Sequence, residues 1–190
     1  MKAIAHLRDS LFRFGETIPN LTIHGKPAPY PVLNERVIRA GAGVMFVMAF
    51  FSFMQALYLR EFVFLKFTVS FFFLEFFLKV VIGTRFSIVS ALVRPFVANQ
   101  APEYVGAIQK RFAWSLGLAM ASTMLVMLFV FETRGLANLI MCSICMALMF
   151  LESSFGICVG CKIYNFLLAK GIMKMPEHKP ACPGNVCSIE

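Results

Sequence analysis

Three observations predict an all-α, polytopic membrane fold: four transmembrane helices with an interfacial helix in a long cytoplasmic connection. First, the 190-residue chain is 59% apolar, with 22 Phe and 12 Met against 15% charged residues, far from the usage of a soluble domain. Second, four apolar runs, at roughly 38–59, 62–82, 112–131 and 136–157, each reach the about 20 residues that cross about 30 Å of hydrocarbon. Third, the formal charge of +8 sorts by side rather than into a patch. Lys2, Arg8, Arg13, Lys26, Arg36 and Arg39 precede span one; Arg85, Arg94, Lys110 and Arg111 lie between spans two and three; Lys162, Lys170, Lys174 and Lys179 follow span four. The two opposite turns hold Arg60 and Arg134, so the positive-inside rule puts both termini and the central connection in the cytoplasm. That sorting argues against a nucleic-acid partner and for the lipid bilayer.

Three regions are expected: an arm over 1–33, a four-helix membrane domain over 34–173 and a cysteine-containing tail over 174–190. The four spans leave no room for a second domain. In the arm, Ile4, Leu7, Leu11 and Phe14 recur at helical spacing between charges, the pattern of a short helix lying in the interface. Arg8, Asp9, Arg13 and Glu16 interrupt any signal-peptide core, so the first span is expected to serve for targeting and to stay in place. Pro19, Gly25, Pro27, Pro29 and Pro31 then forbid a continuous helix and give an extended segment.

Asn34 is placed to cap the first span, in which Gly41 and Gly43 allow another helix to approach closely. That contact fits a homo-oligomer or packing within one bundle equally well. Span two holds Lys66, near its outer end, and Glu75 and Lys79, four apart on one helix face. In the connection, residues 86–93 read as an interfacial helix that stops at Arg94-Pro95, and Ala101-Pro102-Glu103 restarts the chain. Span three carries Trp114 at interfacial depth. Span four contains Cys142, Cys145, Glu152 and Gly156.

Cys158-Val-Gly-Cys161 follows directly, where the last span meets water. Residues three apart on a helix bring two thiols to one side, within reach of a disulfide or of one metal ion. If Gly156 ends span four, Cys158 opens a new helix, and a helix N-terminus favours thiolate; if the helix continues, Cys158 sits at its negative end. Lys162 is adjacent in both cases. A cytoplasmic site is kept reducing, so a structural disulfide is not expected. Two small apolar residues packing at a helix end is the plainer alternative.

Cys142 and Cys145 lie inside the bilayer, where cysteine acts as a small hydrophobe. On a continuous helix Cys145 and Cys158 stand about 20 Å apart along the axis and roughly 140° around it, too far for one metal. Cys182 and Cys187 can complete a zinc-like set only by folding back, and nothing beyond cysteine count supports that; no metal site is assigned. Charges inside spans are costly and point to function. Glu75, Lys79 and Glu152 share the depth of the thiols, and Arg39 and Arg111 open spans at the same surface. Together they enclose a pocket of thiols, carboxylates and guanidinium groups, although Glu75 with Lys79 reads equally well as a plain salt bridge. His6, His24 and His178 show no ligand spacing, and no hydrolase triad, phosphate loop or dinucleotide signature is present.

Four segments carry a resemblance: Asn34-Glu-Arg-Val-Ile-Arg39, Ser87-Ile-Val-Ser-Ala-Leu-Val-Arg-Pro95, Lys110-Arg-Phe-Ala113 with Gly117-Leu118, and Phe155-Gly-Ile-Cys-Val-Gly-Cys-Lys-Ile-Tyr164. Over roughly 34–168 the chain resembles the bacterial membrane family called domain of unknown function 4395, with Cys158, Cys161 and Tyr164 matching its closing motif. The resemblance implies a multi-pass inner-membrane protein. Relatives joined to rhodanese or thioredoxin-like domains point by analogy to sulfur or thiol traffic. The resulting expectation is a protein that handles or transports a small sulfur species, such as thiosulfate, sulfite or a persulfide, or meets a thiol partner. Cys158 is the acceptor or nucleophile and Cys161 resolves it, while Arg39, Arg111, Glu75, Lys79, Glu152 and Tyr164 form the surrounding binding residues. The alternatives are a quinone-linked membrane thiol oxidoreductase and a non-enzymatic scaffold or metal carrier.

Overall fold

The computed structural model describes residues 14–19, 21–23, 26–133 and 135–173. The expected helix near the N-terminus, the tail cysteines Cys182 and Cys187, and His6, His24 and His178 lie outside these residues. The described chain runs through short strands β1 (Thr22–Ile23), β2 (Lys26–Pro27) and β3 (Val32–Asn34) into helix α1 (Glu35–Met54). Helix α2 (Val63–Phe77), α3 (Ile88–Val97), strand β4 (Tyr104–Gly106), α4 (Ala107–Leu125), α5 (Leu136–Phe155) and α6 (Val159–Ala169) follow. Wider π-helical turns extend α1 to Leu59, α2 to Ile82 and α4 to Val130.

Asn34 caps α1 as its position predicts, its Oδ1 accepting the Arg36 amide at 3.0 Å. The proline-rich segment is extended, and its end does more than connect. β3 pairs antiparallel with β4, Val32 facing Gly106 and Asn34 facing Tyr104, so the starts of α1 and α4 are fastened side by side. This pairing was not foreseen, and it starts α4 at Ala107, five residues before the apolar run. One exposed ion pair, Arg36 to Glu103 at 2.6 Å, and the Glu35 amide donating to the Glu103 carbonyl at 2.7 Å, add to the fastening.

Packing follows sequence periodicity. α2 buries Leu65, Thr68, Val69, Phe72, Glu75 and Lys79, spaced by three and four as one helical face requires. It leaves Val63, Phe64, Phe67, Leu74, Phe77 and Val81 exposed. α1 lies along α5, α2 along α4, and α6 folds back along α4. Gly41 faces α3, where an added Cβ would stand 3.2 Å from Val89 Cγ1, and Gly43 faces α5, 3.7 Å from Ser153 Cβ. Both glycines thus serve contacts inside the chain.

Among the described residues, three helices are long and apolar enough to cross a membrane: Glu35–Leu59, Ala107–Val130 and Leu136–Phe155. The fourth expected span, 62–82, is helical over nearly its whole length, but Lys66, Glu75 and Lys79 are spread along it, whereas the three charges of Glu35–Leu59 crowd its first five residues. Two further expectations are corrected. α3 does not stop at Arg94-Pro95 but continues to Val97 with Pro95 inside it. Trp114 is not an outward anchor: it is 5% exposed, with the Lys79 ammonium 5.3 Å from its ring centre and Phe14 against its edge.

Candidate functional site

Gly156 decides the local geometry at the end of α5. It adopts φ +67°, the left-handed conformation that glycine takes without strain, and its amide closes α5 on the Glu152 carbonyl at 3.1 Å. The chain therefore breaks, and Cys158 is the N-cap of α6. Its sulfur accepts the Cys161 amide at 3.3 Å, as a Ser or Asp oxygen accepts at an ordinary N-cap. Cys158 and Cys161 are both free thiols and are 6% and 1% exposed. A hydrogen bond with Cys158, and burial, push the Cys161 thiol well above its ordinary range, so it keeps its proton.

The glycine between the two cysteines has a separate task. A Cβ on Gly160 would fall 2.6 Å from Ala113 Cβ and 2.7 Å from its Cα, closer than atoms pack. α6 thus lies with its backbone against α4 at this one residue. The contact sets the thiols close to the first turn of α4, where Lys110 sits.

Lys110 is wholly buried and its ammonium lies between two carboxylates: 2.9 Å from Glu35 Oε2 and 2.7 Å from Glu152 Oε1. Each acid comes from a different helix, α1 and α5, so the lysine joins three helices at one point. The Lys110 ammonium favours the ionised form of Cys161, but the Cys158 bond and burial prevail. Burial of a charged group is tolerated when it is paired and hydrogen-bonded, and one cation shared by two acids leaves a surplus negative charge.

The residues expected around the thiols divide into two groups. Glu152 belongs to the cluster. Arg39 stands at its edge: it donates to the Ser153 carbonyl at 3.3 Å and the Ser154 carbonyl at 3.1 Å, and its guanidinium covers Gly156. Tyr164 is 4% exposed, its ring 5.5 Å from that of Phe112, and burial raises its hydroxyl above the usual range. Glu75 and Lys79 form instead their own buried pair at 3.0 Å. Glu75 also accepts the Ser87 hydroxyl and the amides of Ile88 (2.9 Å) and Val89 (3.4 Å), so it caps the N-terminus of α3. Arg111 is exposed, its guanidinium 5.1 Å from the Phe14 ring centre. Lys162, adjacent to Cys161, is exposed.

Lys110 and Glu35 were missed by sequence reasoning. Lys110 reads as one of the cationic residues that orient the chain, and Glu35 as part of a helix start. The signal lay in their surroundings: Glu35, Lys110 and Glu152 are ionisable residues within a turn of apolar helix ends. Cys142 and Cys145 pack in the interior, as their apolar surroundings predict, lining a cavity of about 30 Å³ with Leu65, Phe72 and Ala121. Among the described residues no three His, Cys, Asp or Glu side chains are grouped to hold a metal ion.

The family model described as Domain of unknown function (DUF4395) matches residues 33–169, from within β3 to the last residue of α6. The chain belongs to this family. Every residue of the thiol and Lys110 cluster lies inside the DUF4395 match, as do Arg39 and Tyr164. No curated protein and no solved structure matches the chain.

Proposed function

We propose that this DUF4395 member is a four-span protein of the bacterial inner membrane, with both ends cytoplasmic, that handles or carries a small sulfur species through Cys158 and Cys161. The observation that carries the reading is the Cys158 sulfur at the start of α6, accepting the Cys161 amide, while Cys161 keeps its proton. The Cys158 sulfur at the helix start is placed to attack, and Cys161, three residues on, is placed to resolve what forms once it loses its proton. α2 supplies the fourth span because its charges need not face lipid: Glu75 and Lys79 neutralise each other inside the bundle.

With thiosulfate, the Cys158 thiolate bonds to the outer sulfur, the sulfur–sulfur bond of thiosulfate breaks, and sulfite leaves with the electron pair. Cys158 then holds a persulfide, which passes its outer sulfur to an acceptor thiol. Of the surrounding residues, Arg39, Glu152 and Tyr164 serve this site, while Glu75 and Lys79 hold α3 in place and Arg111 attracts anions to the surface. The test is mass spectrometry of the purified chain after exposure to thiosulfate. One added sulfur is expected on the Cys158 peptide and none in Cys158→Ser; a wild-type protein that never gains it, with unchanged sulfur uptake in the variant, overturns the proposal.

A further inference from the structure

We propose that the large cavity beside α3 binds a soluble organic anion, a phosphate or carboxylate on an apolar body, held by Arg85 and Arg94. The cavity encloses about 780 Å³ between residues 15–17 of the arm, strand β3, the first turns of α1 and one side of α3, within the range of about 300–1,000 Å³ typical of small-molecule sites. Neither thiol, nor Glu35, Lys110 or Glu152, lines it. The proposal therefore stands apart from the sulfur chemistry of Cys158 and Cys161.

The three sides of α3 show which medium the cavity meets. Val89 and Val93 are buried in the core shared with α1, and Ile88, Leu92 and Phe96 form an exposed apolar side. Ser90, Arg94 and Val97 line the cavity. At 3.6 residues per turn that third side stands roughly opposite Ile88, Leu92 and Phe96. A bilayer against the apolar side thus leaves the cavity facing water, open to a dissolved ligand rather than to a lipid.

Charge and wall chemistry define that ligand. Arg85 and Arg94 both line the cavity and are exposed, and among the described residues neither guanidinium pairs with an acid. Glu16 is the one acid among the lining residues, so the lining carries a surplus positive charge. A guanidinium presents two parallel N–H donors, the geometry that grips a phosphate or a carboxylate. Val37, Val97 and Trp114 add apolar wall, and with the volume they call for more than an inorganic ion. Trp114 is also the chain's single tryptophan, so its fluorescence reports on this site alone.

The experiment titrates the full chain in an uncharged detergent with 4-nitrophenyl phosphate and 4-nitrobenzoate, whose rings quench tryptophan, and with 4-nitrophenyl glucoside as the uncharged control. Saturable quenching of Trp114 is expected from a charged probe, weakening as salt is raised, and none from the glucoside; the tighter of the charged probes names the acid group. Arg85→Gln and Arg94→Gln should each weaken binding about tenfold, the loss of one charge-assisted hydrogen bond. Glu16→Gln should tighten it, and Arg60→Gln, beyond the far end of α1, should leave it unchanged. Inorganic phosphate should displace the probe only at concentrations at least about tenfold higher than the probe's own, since it lacks the apolar body. Equal quenching by the glucoside, no saturable quenching by any probe, or affinities unmoved by both arginine changes overturns the proposal; the first two readings need no variant to fold. Displacement by phosphatidate in mixed micelles would overturn a soluble ligand in favour of a lipid headgroup. Cys158→Ser should bind as wild type does, so failure of the thiosulfate test leaves this site standing, and failure here leaves the sulfur reading untouched.

Discussion

At the scale of single residues, the Cys-Val-Gly-Cys motif was legible and its glycine was not. Spacing alone says that two thiols share a side; only the fold shows that Gly160 is where α6 meets the backbone of Ala113, 2.7 Å from an added Cβ. Gly160→Ala should cost about 1–3 kcal/mol, the range for overpacking against atoms that cannot rotate away, measured as a lowered melting temperature in detergent. Ala113→Gly in the same chain relieves the 2.6 Å contact with the Ala113 Cβ but not the 2.7 Å contact with its Cα, and should recover only part of that loss; full recovery would place the strain on the side chain alone. Cys161 gives a second residue-scale prediction. An ordinary thiol, with pKa near 8.5, is roughly one-quarter ionised at pH 8, whereas the raised Cys161 keeps its proton there. Iodoacetamide should label the Cys161 peptide more slowly than an ordinary thiol at pH 8, and labelling should keep rising as pH climbs. Since the folded chain holds this proton more tightly than the unfolded one, the same group contributes stability below about pH 8.5 that is lost at higher pH. Cys158→Ala removes the first cause of the shift and should bring the labelling curve toward neutral; an unmoved curve would assign the shift to burial alone.

At the scale of elements, helices were read well and their ends and partners were not. The apolar runs and Asn34 located α1, α2, α4 and α5 because periodicity and capping are local. β3 and β4 are three residues each and some 70 positions apart, so no local pattern marks them. Glu75 and Lys79 illustrate the same limit: a spacing of four announces their pairing, while Glu75's bonds to Ser87 and the first amides of α3 depend on how the chain returns. That second task makes the pair asymmetric. Lys79→Met leaves Glu75 its three donors, whereas Glu75→Leu strands a buried ammonium and leaves the Ile88 and Val89 amides without their acceptor, Ser87 alone still capping α3. The glutamate change should cost about 3–5 kcal/mol, as for breaking a buried pair from one side, and clearly more than the lysine change. Equal melting temperatures for the two variants would remove Glu75 from the anchoring of α3.

At the scale of the whole molecule, one arrangement relates the thiol cluster to the membrane. The strands β3 and β4 bring together the starts of α1 and α4, and Gly156 ends α5 at the same level, so Glu35, Lys110 and Glu152 meet where three apolar helices terminate. A bilayer around those helices would hold this cluster at one surface, which the proposed orientation makes the cytoplasmic one. Sidedness can be read at two exposed positions that lie at opposite ends, Arg60 after α1 and Lys162 on α6. With Cys182 and Cys187 changed to Ser, an impermeant maleimide added to intact spheroplasts should modify Arg60→Cys at once. Lys162→Cys should react only after the membrane is opened. The four cysteines in the described residues are each buried or half-buried, which keeps the background low. Labelling of both positions from outside would mean that α2 does not cross, since an uncrossed α2 puts Arg60 and the start of α4 on one side. Labelling of Lys162→Cys alone would invert the orientation and place the thiols in an oxidising compartment, where a standing Cys158–Cys161 disulfide rather than a free pair is the expected state.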